Sequence, residues 1–454
     1  MSKLFPEILG IESGQNSELA TRIVDRVKAG NPQVIIKPYV PKGSTILNLP
    51  PTIPVGSRAK VNWQHAKKAL IIREKCKNEE HGNLRFLHVF VSVGDVVEEY
   101  QFTLSIENEC PYSCSFCYLQ GPLGKTPIPT IFTNLQDSGV LLREVKIALL
   151  AMHMHTQTHG VLYNIGWDQK DWVHDLIMVL NTIIPERVDD IPIQQLFNEN
   201  KDKIKKGISH SSLETLKPIT DNFDNFGFSS LSDTFIFNCG EVNDALAYDH
   251  LTDNSKFLIK LFSTSTMKND GAVLLFRTQS TNFDNLKKLN PGANVTFSAT
   301  VLPYSTFAQG PPDLVHRLKG VEALLALGYQ ISLNIDPIIL VTNTINTYKK
   351  VIDNIKTHFS YESPKFKGIT IGMLRFGDRA LYDNIRKRHT DVYGHAKRNM
   401  PRVKGDEKYR YDRAKRIEIY KALVEYIRAE LPGIEVELST EPVDVWEDVG
   451  LTWD

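Results

Sequence analysis

The pattern of apolar and polar positions changes character along the chain. Over residues 1–100, short apolar runs alternate with proline-rich turns such as Asn48-Leu49-Pro50-Pro51. Leu87–Val93 (LHVFVSV) and Tyr100–Ile106 (YQFTLSI) are rich in β-branched and aromatic residues, which predicts strands. Further along, strand-like and helix-like segments take turns. Thr234–Asn238 predicts a strand and Asp249–Phe262 a helix. Ala272–Phe276 and Asn294–Ala299 predict strands, and Pro312–Leu327 predicts a helix from its apolar spacing. The strand Gln330–Ile335 follows, with Ile339–Val341 as an extension beyond Pro337. Ile345–Phe359 predicts a helix and Gly368–Leu374 a strand, and Arg413–Leu431 (helix) and Glu435–Leu438 (strand) close the pattern. A strand–helix repeat of this kind predicts an α/β fold with a parallel sheet or an open (β/α) barrel.

Residues 140–232 break the alternation. They hold a helical stretch, Leu141–His155, scattered tryptophan, histidine and asparagine residues, and a polar run near Asn198–Lys206. This segment is expected to be an insertion between the first and second barrel strands, serving as a lid, a partner surface or a substrate clamp. No internal repeat is visible. The expected organisation is an N-terminal α/β region over 1–100, a barrel over 101–380 with the 140–232 insertion, and a C-terminal basic region over 381–454.

Composition narrows the class. Of 454 residues, 42% are hydrophobic and 23% charged, so a large core can be buried and wholesale disorder is excluded. The 53 basic residues balance the 53 acidic ones, which disfavours a whole-chain polyanion-coating role. The opening MSKLFPEILGIESG has no long apolar run behind its early lysine, and no stretch of about 18 apolar residues occurs, so neither a signal peptide nor a membrane span is expected. Cytoplasmic localisation is the expectation. Charge is uneven locally: Arg386–Arg416 holds 12 lysines and arginines against 4 acidic residues, with Tyr393, Tyr409 and Tyr411 interleaved. Basic residues with aromatics can follow a phosphate backbone and stack on a base, although most such runs are solvated surface.

The chemistry concentrates in the cysteines. There are five, Cys76, Cys110, Cys114, Cys117 and Cys239, an odd and sparse count that does not describe a disulfide framework. Three of them form Cys110-Pro-Tyr-Ser-Cys114-Ser-Phe-Cys117 directly after a predicted strand. Three thiolates on one tight loop suit zinc, copper(I) or iron–sulfur. Structural zinc normally takes four closed ligands, and no fourth cysteine lies nearby. A [4Fe–4S] cluster usually takes four thiolates, so three leave one iron open, the place S-adenosylmethionine takes in radical chemistry. A zinc loop completed by a histidine, or three unrelated buried cysteines, are the alternatives.

The loop Cys110–Gln120 with its CYLQ ending resembles the cluster loop of the spore photoproduct lyase family of radical SAM enzymes. The similarity continues through Leu123-Gly124-Lys125 and Asn134, and resumes at Asn238–Thr252 (NCGEVNDALAYDHLT), Arg277–Leu286, Phe297-Ser298 and Arg317–Pro337. It ends with Lys408–Tyr420 and Glu441-Pro-Val-Asp-Val-Trp446. The resemblance implies a partial (β/α)6 radical SAM barrel with an N-terminal extension, the inserted segment and a C-terminal basic subdomain. Its cofactors would be a [4Fe–4S] cluster on Cys110, Cys114 and Cys117 and S-adenosyl-L-methionine. Gly240-Glu241 corresponds to the pair that meets the methionine ammonium. Gln279 stands where the family carries a lysine for the cofactor carboxylate, with Arg277 as a possible substitute, and Ser298 resembles a cofactor-contacting serine. Cys239 stands near the family's hydrogen-donating cysteine, but about two residues further from Asp249-His250, which leaves two readings, a hydrogen donor or a buried strand-end cysteine. Tyr118 matches one family radical-relay tyrosine, and Phe116 replaces the other.

Lys408, Arg410 and Tyr411 lie close to a segment that contacts DNA in the family, so DNA is the implied substrate, with an electron donor such as flavodoxin or ferredoxin as partner. The implied activity is repair of thymine lesions. Two other readings stand beside it: a radical SAM enzyme modifying a nucleobase or another substrate, and a non-catalytic iron–sulfur protein that binds nucleic acid.

Overall fold

β-branched and aromatic runs do form strands, and the helices between them lay their apolar faces on the sheets. The computed structural model describes residues 3–12, 17–39, 63–77, 84–90, 96–97, 101–120, 128–159, 167–211, 213–228, 233–303, 311–377, 379–389, 400 and 409–452. The strands of the first third are β1 (Ile8–Glu12), β2 (Ile35–Tyr39), β3 (Ala69–Arg73), β4 (Leu87–Phe90), β5 (Val96–Val97), β6 (Gln101–Leu104), β7 (Glu107–Asn108) and β8 (Thr130–Phe132). Those that follow are β9 (Phe235–Asn238), β10 (Ala272–Thr278), β11 (Val295–Thr300), β12 (Gln330–Ile338), β13 (Phe366–Met373), β14 (Arg375–Phe376), β15 (Tyr409–Arg410), β16 (Val436–Leu438) and β17 (Glu441–Pro442).

The main sheet runs β16-β13-β12-β11-β10-β9-β6-β4. All its pairings are parallel except β4 with β6. From β6 to β13 spatial order follows chain order, as right-handed crossovers dictate. The sheet stays open, with β4 and β16 at its edges. This is the expected α/β arrangement of an open barrel. Aromatic pairs lock the register: Phe102 stacks on Phe237 at 5.2 Å and Phe276 on Phe297 at 4.9 Å, each across adjacent strands.

A second sheet, β2-β1-β3-β8-β7, carries the helix Glu18–Gly30. That helix starts on Ser17, whose hydroxyl accepts the Ala20 N–H at 3.1 Å. It buries Leu19, Ile23 and Val27 in a core shared with Leu70, Ile131 and Leu251. The second sheet takes β7 and β8 from beyond residue 100, so the N-terminal region and the barrel interleave in sequence. The sequence pattern missed this sheet.

Several expectations change in detail. The helix expected over Asp249–Phe262 breaks at Asp253, which adopts left-handed φ 57° between Asp249–Thr252 and Asn254–Phe262. Strand β12 runs through Pro337 to Ile338, and Ile339–Val341 lies beyond it. The segment 140–232 is only partly an insertion. The helix Ser138–His159 is the crossover that the parallel pairing of β6 and β9 requires. It is pinned to the sheet. Its Glu144 carboxylate accepts N–H groups of Arg85 (2.6 Å) and Phe86 (2.8 Å), and its buried Lys146 donates to Asp270 at 2.6 Å. The helices Trp167–Ile183 and Ile193–His210 pack beside it as a helical layer. Among the described residues no helix is long and apolar enough to cross a membrane.

Candidate functional site

The two sheets meet at the cysteine loop. The chain leaves the main sheet at Leu104, joins the second sheet through β7, and turns at Glu109, whose φ is 63° and whose N–H donates to the Val242 carbonyl at 2.8 Å. Cys110, Cys114 and Cys117 follow, Cys114 buried and the other two partly so. Local bonds tighten the loop: the Cys117 N–H donates to the Cys114 carbonyl at 3.2 Å and the Tyr112 N–H to the Cys110 sulfur at 3.4 Å. Buried Gln120 donates to the carbonyls of Cys114 (3.4 Å) and Ser115 (3.3 Å) and is itself held by Asn384 (2.7 Å) and Arg388 (3.4 Å) from the helix Arg379–Arg388. Burial pushes the Cys110 thiol well up, and that of Cys117 to about 11. Among the described residues no three His, Cys, Asp or Glu side chains close on one point, so the loop offers a soft donor set and not a closed cage.

The ends of β9 and β10 come up against this loop. Gly240 is required there, because a Cβ would lie 2.2 Å from the Arg277 carbonyl oxygen. This close approach delivers Glu241 to the loop. Its Oε1 accepts the Tyr118 hydroxyl at 3.2 Å, and its Oε2 accepts from Asn238 (3.1 Å) and Arg277 (3.3 Å). The ring of Tyr118 is 44% exposed. Asp244 ties the two strand ends together, accepting from the Thr278 hydroxyl and the Gln279 N–H, both at 2.6 Å. The Oε1 of Gln279 is buried without a hydrogen-bond partner, a polar atom left free at the strand end. Ser298 is buried on β11, on the rung paired with Arg277. Sequence-expected Gly240, Glu241, Gln279, Ser298, Tyr118 and the three cysteines therefore share one region.

Three expected residues behave differently. Cys239 is wholly buried in the main core, its N–H donating to the Leu275 carbonyl at 2.8 Å, and burial, with Glu107 adding to it, pushes its thiol well up. The strand end turns the thiol into packing, which departs from the expectation of a donor facing substrate. Arg410 and Tyr411 are also interior, a correction to the phosphate-facing expectation. Arg410 is spent on the Thr440 carbonyl (3.0 Å) and the Glu441 carboxylate (3.3 Å), and the Tyr411 hydroxyl accepts the Leu340 N–H at 3.2 Å. Lys408 lies outside the described residues.

Sequence reasoning missed Lys67, Arg317 and Arg388, which are buried around the loop. Lys67 pairs with Glu109, and Lys67 and Arg388 both lie over the Trp63 ring, at 4.1 and 4.8 Å. Arg317 donates to the carbonyls of Thr300 (2.6 Å) and Leu302 (2.9 Å). No local signal marks a lysine or arginine that a distant part of the chain will bury.

No protein-family model matches the chain, and no curated protein sequence matches it. Solved structures of spore photoproduct lyase share its fold. One, a variant with bound AdoMet and dinucleoside spore photoproduct, has a TM-score of 0.59 and 15% identity, covering 96% of this chain and 99% of that chain. The enzyme complexed with dinucleoside spore photoproduct gives 0.59 and 15%, covering 96% and 98%. A tyrosine-to-phenylalanine variant gives 0.60 and 15%, covering 96% and 99%.

Proposed function

We propose that this chain is a radical SAM enzyme acting on thymine lesions in DNA, in the manner of the spore photoproduct lyases whose fold it shares. The observation that carries the reading is the bridge Tyr118–Glu241–Arg277, which joins the three-cysteine loop to the ends of the second and third parallel strands. Ligands bind at such strand ends in parallel α/β sheets.

Cys110, Cys114 and Cys117 would hold a [4Fe–4S] cluster, and the donor set fits: three thiolates on one loop, with one coordination position left for S-adenosylmethionine. When bound, the two cofactors would supply one-electron radical chemistry, the reductive cleavage of the sulfonium. The chain's residues bind and orient. The Glu241 carboxylate suits the methionine ammonium, a charge-assisted contact that Arg277 and Tyr118 aim by holding both its oxygens. The side-chain N–H of Gln279 can donate to the cofactor carboxylate, without the charge of a lysine. Ser298, one strand over, adds a hydroxyl. Packing of the loop under Gln120 keeps water from its inner side.

A second reading, a radical SAM enzyme on another substrate, is favoured by two observations: Phe116 stands where a relay tyrosine would be, and Arg410 is buried. One experiment separates them. Protein reconstituted with iron and sulfide is reduced with S-adenosylmethionine, with and without the dinucleoside spore photoproduct. Formation of 5′-deoxyadenosine together with free thymidines supports the lesion reading. 5′-Deoxyadenosine without lesion cleavage selects the second reading. Stoichiometric iron retained after all three cysteines are replaced by alanine overturns both.

A further inference from the structure

The mechanism above leaves unused the buried cations around the cysteine loop. Lys67, Arg317 and Arg388 come from three distant parts of the chain, and each is buried. Burying an ammonium costs several kcal/mol unless it is compensated. Arg317 and Arg388 account for themselves through backbone carbonyls and Gln120. Lys67 is paired with the Glu109 carboxylate, the two side chains being 3% and 1% exposed. Glu109 directly precedes Cys110, and its other carboxylate oxygen is buried with no hydrogen-bond partner. The Trp63 ring closes the far side of the ammonium at 4.1 Å. A buried ammonium held by an aromatic face and by the carboxylate directly before Cys110 faces a place where anionic charge is expected.

We infer that Lys67 is a positioning residue for the group on Cys110, Cys114 and Cys117: its buried ammonium, paired with the residue directly before Cys110, raises the reduction potential of an iron–sulfur cluster held there. The inference rests on the radical SAM reading. Each electron added to a thiolate-ligated cluster makes it more anionic, and a fixed cation in a medium of low dielectric favours that state. The pair with Glu109 fixes the ammonium, and Trp63 excludes water that would screen it.

The test is a redox titration of the reconstituted protein, following cluster absorbance and the paramagnetic signal of the reduced form, for wild type, Lys67→Met and Lys67→Arg. The expected result is a lower midpoint potential in Lys67→Met at unchanged iron per chain, and return toward the wild-type value in Lys67→Arg. Lys67→Gln, whose amide still donates to Glu109, carries the same test should the methionine variant not fold. An unmoved potential at equal iron content, or equal shifts in the neutral and arginine variants, overturns the inference. A wild-type chain that takes up no iron overturns the radical SAM reading as well, and the two failures are thereby distinct.

Discussion

At the scale of single residues, burial decides which charges the chain can keep. Lys75 is held between the Phe132 ring at 4.6 Å and the His88 imidazole at 3.3 Å. Burial lowers its pKa to about 7, the Glu144 carboxylate pulling the other way. The unfolded chain therefore binds more protons than the folded one between pH about 7 and the ordinary lysine value of 10.5. Stability from this group rises with pH across that window and is lowest at and below its start. Lys75→Met is expected to raise stability at pH 7 and to flatten that slope, as read by urea denaturation at several pH values. An unchanged slope would show that Lys75 is solvated. A second residue-scale prediction concerns Cys239. Because its thiol is buried in the core, Cys239→Ala is expected to leave the product distribution unchanged and to lower thermal stability. Diversion of the substrate radical into side products would restore the donor role.

Much of the site was legible because adjacency fixes it. Cys110, Cys114 and Cys117 share a loop whatever the fold, and Gly240-Glu241 follows its strand by necessity. Lys67, Arg317 and Arg388 were not legible, since their burial depends on contacts made across the chain. Arg410 was misread for the same reason: in a run of basic residues nothing local separates the interior arginine from the solvated ones.

At the scale of elements, the C-terminus latches the sheet. Helix Arg413–Glu430 and β17 converge on Glu441, whose carboxylate accepts from Arg410, Arg416 and, at 2.9 Å, the Tyr420 hydroxyl. Tyr420 in turn takes the Met373 N–H at the end of β13 at 2.9 Å. Nearby, Arg375 spans Asp336 on β12 (3.2 Å) and the Thr440 hydroxyl (2.7 Å). Removing one partner from such a network strands buried charges of the other sign. Glu441→Ala is expected to cost about 3–5 kcal/mol by denaturant titration, the scale seen when a buried pair loses one member. Arg410→Met is expected to destabilise as well, and to change DNA affinity only as far as it unfolds the protein. A stable Arg410→Met variant with a shallower salt dependence of DNA binding would return Arg410 to the surface. The strand–helix pattern predicted the helix Arg413–Glu430 and β13 to within a residue or two, whereas β17 and the latch depend on pairings that periodicity does not encode.

At the scale of the molecule, the second sheet feeds directly into the cysteine loop through β7, so its docking on the barrel matters to the site. Two groups of polar contacts contribute to that docking, beside the shared apolar core. Arg22 and Arg26 from helix Glu18–Gly30 reach Asp253, Arg26 at 2.8 Å, and the carbonyls of Thr252 and Leu251. His250 spans the junction from the other side: its Nε2–H donates to the Leu4 carbonyl at 2.9 Å, while Nδ1 accepts from the Asn282 amide at 2.9 Å. Phe5 packs edge-on against its ring at 5.1 Å. Only the neutral imidazole can donate on one side and accept on the other. Burial lowers its pKa to about 4, with Lys3 and Arg26 adding to the effect and Asp284 and the Leu4 carbonyl opposing it. The unfolded chain binds the extra proton between pH 6.5 and about 4, so stability from this contact is present above that window and is lost as pH falls through it. Acid should therefore loosen the second sheet before the barrel. The measurement is amide hydrogen exchange of helix Glu18–Gly30 from pH 7 to 4, corrected for intrinsic rates. Protection is expected to fall faster there than in β10–β12. In His250→Gln, whose amide can make both bonds without titrating, the extra fall should vanish. The same pH dependence in that variant would move the acid sensitivity away from His250.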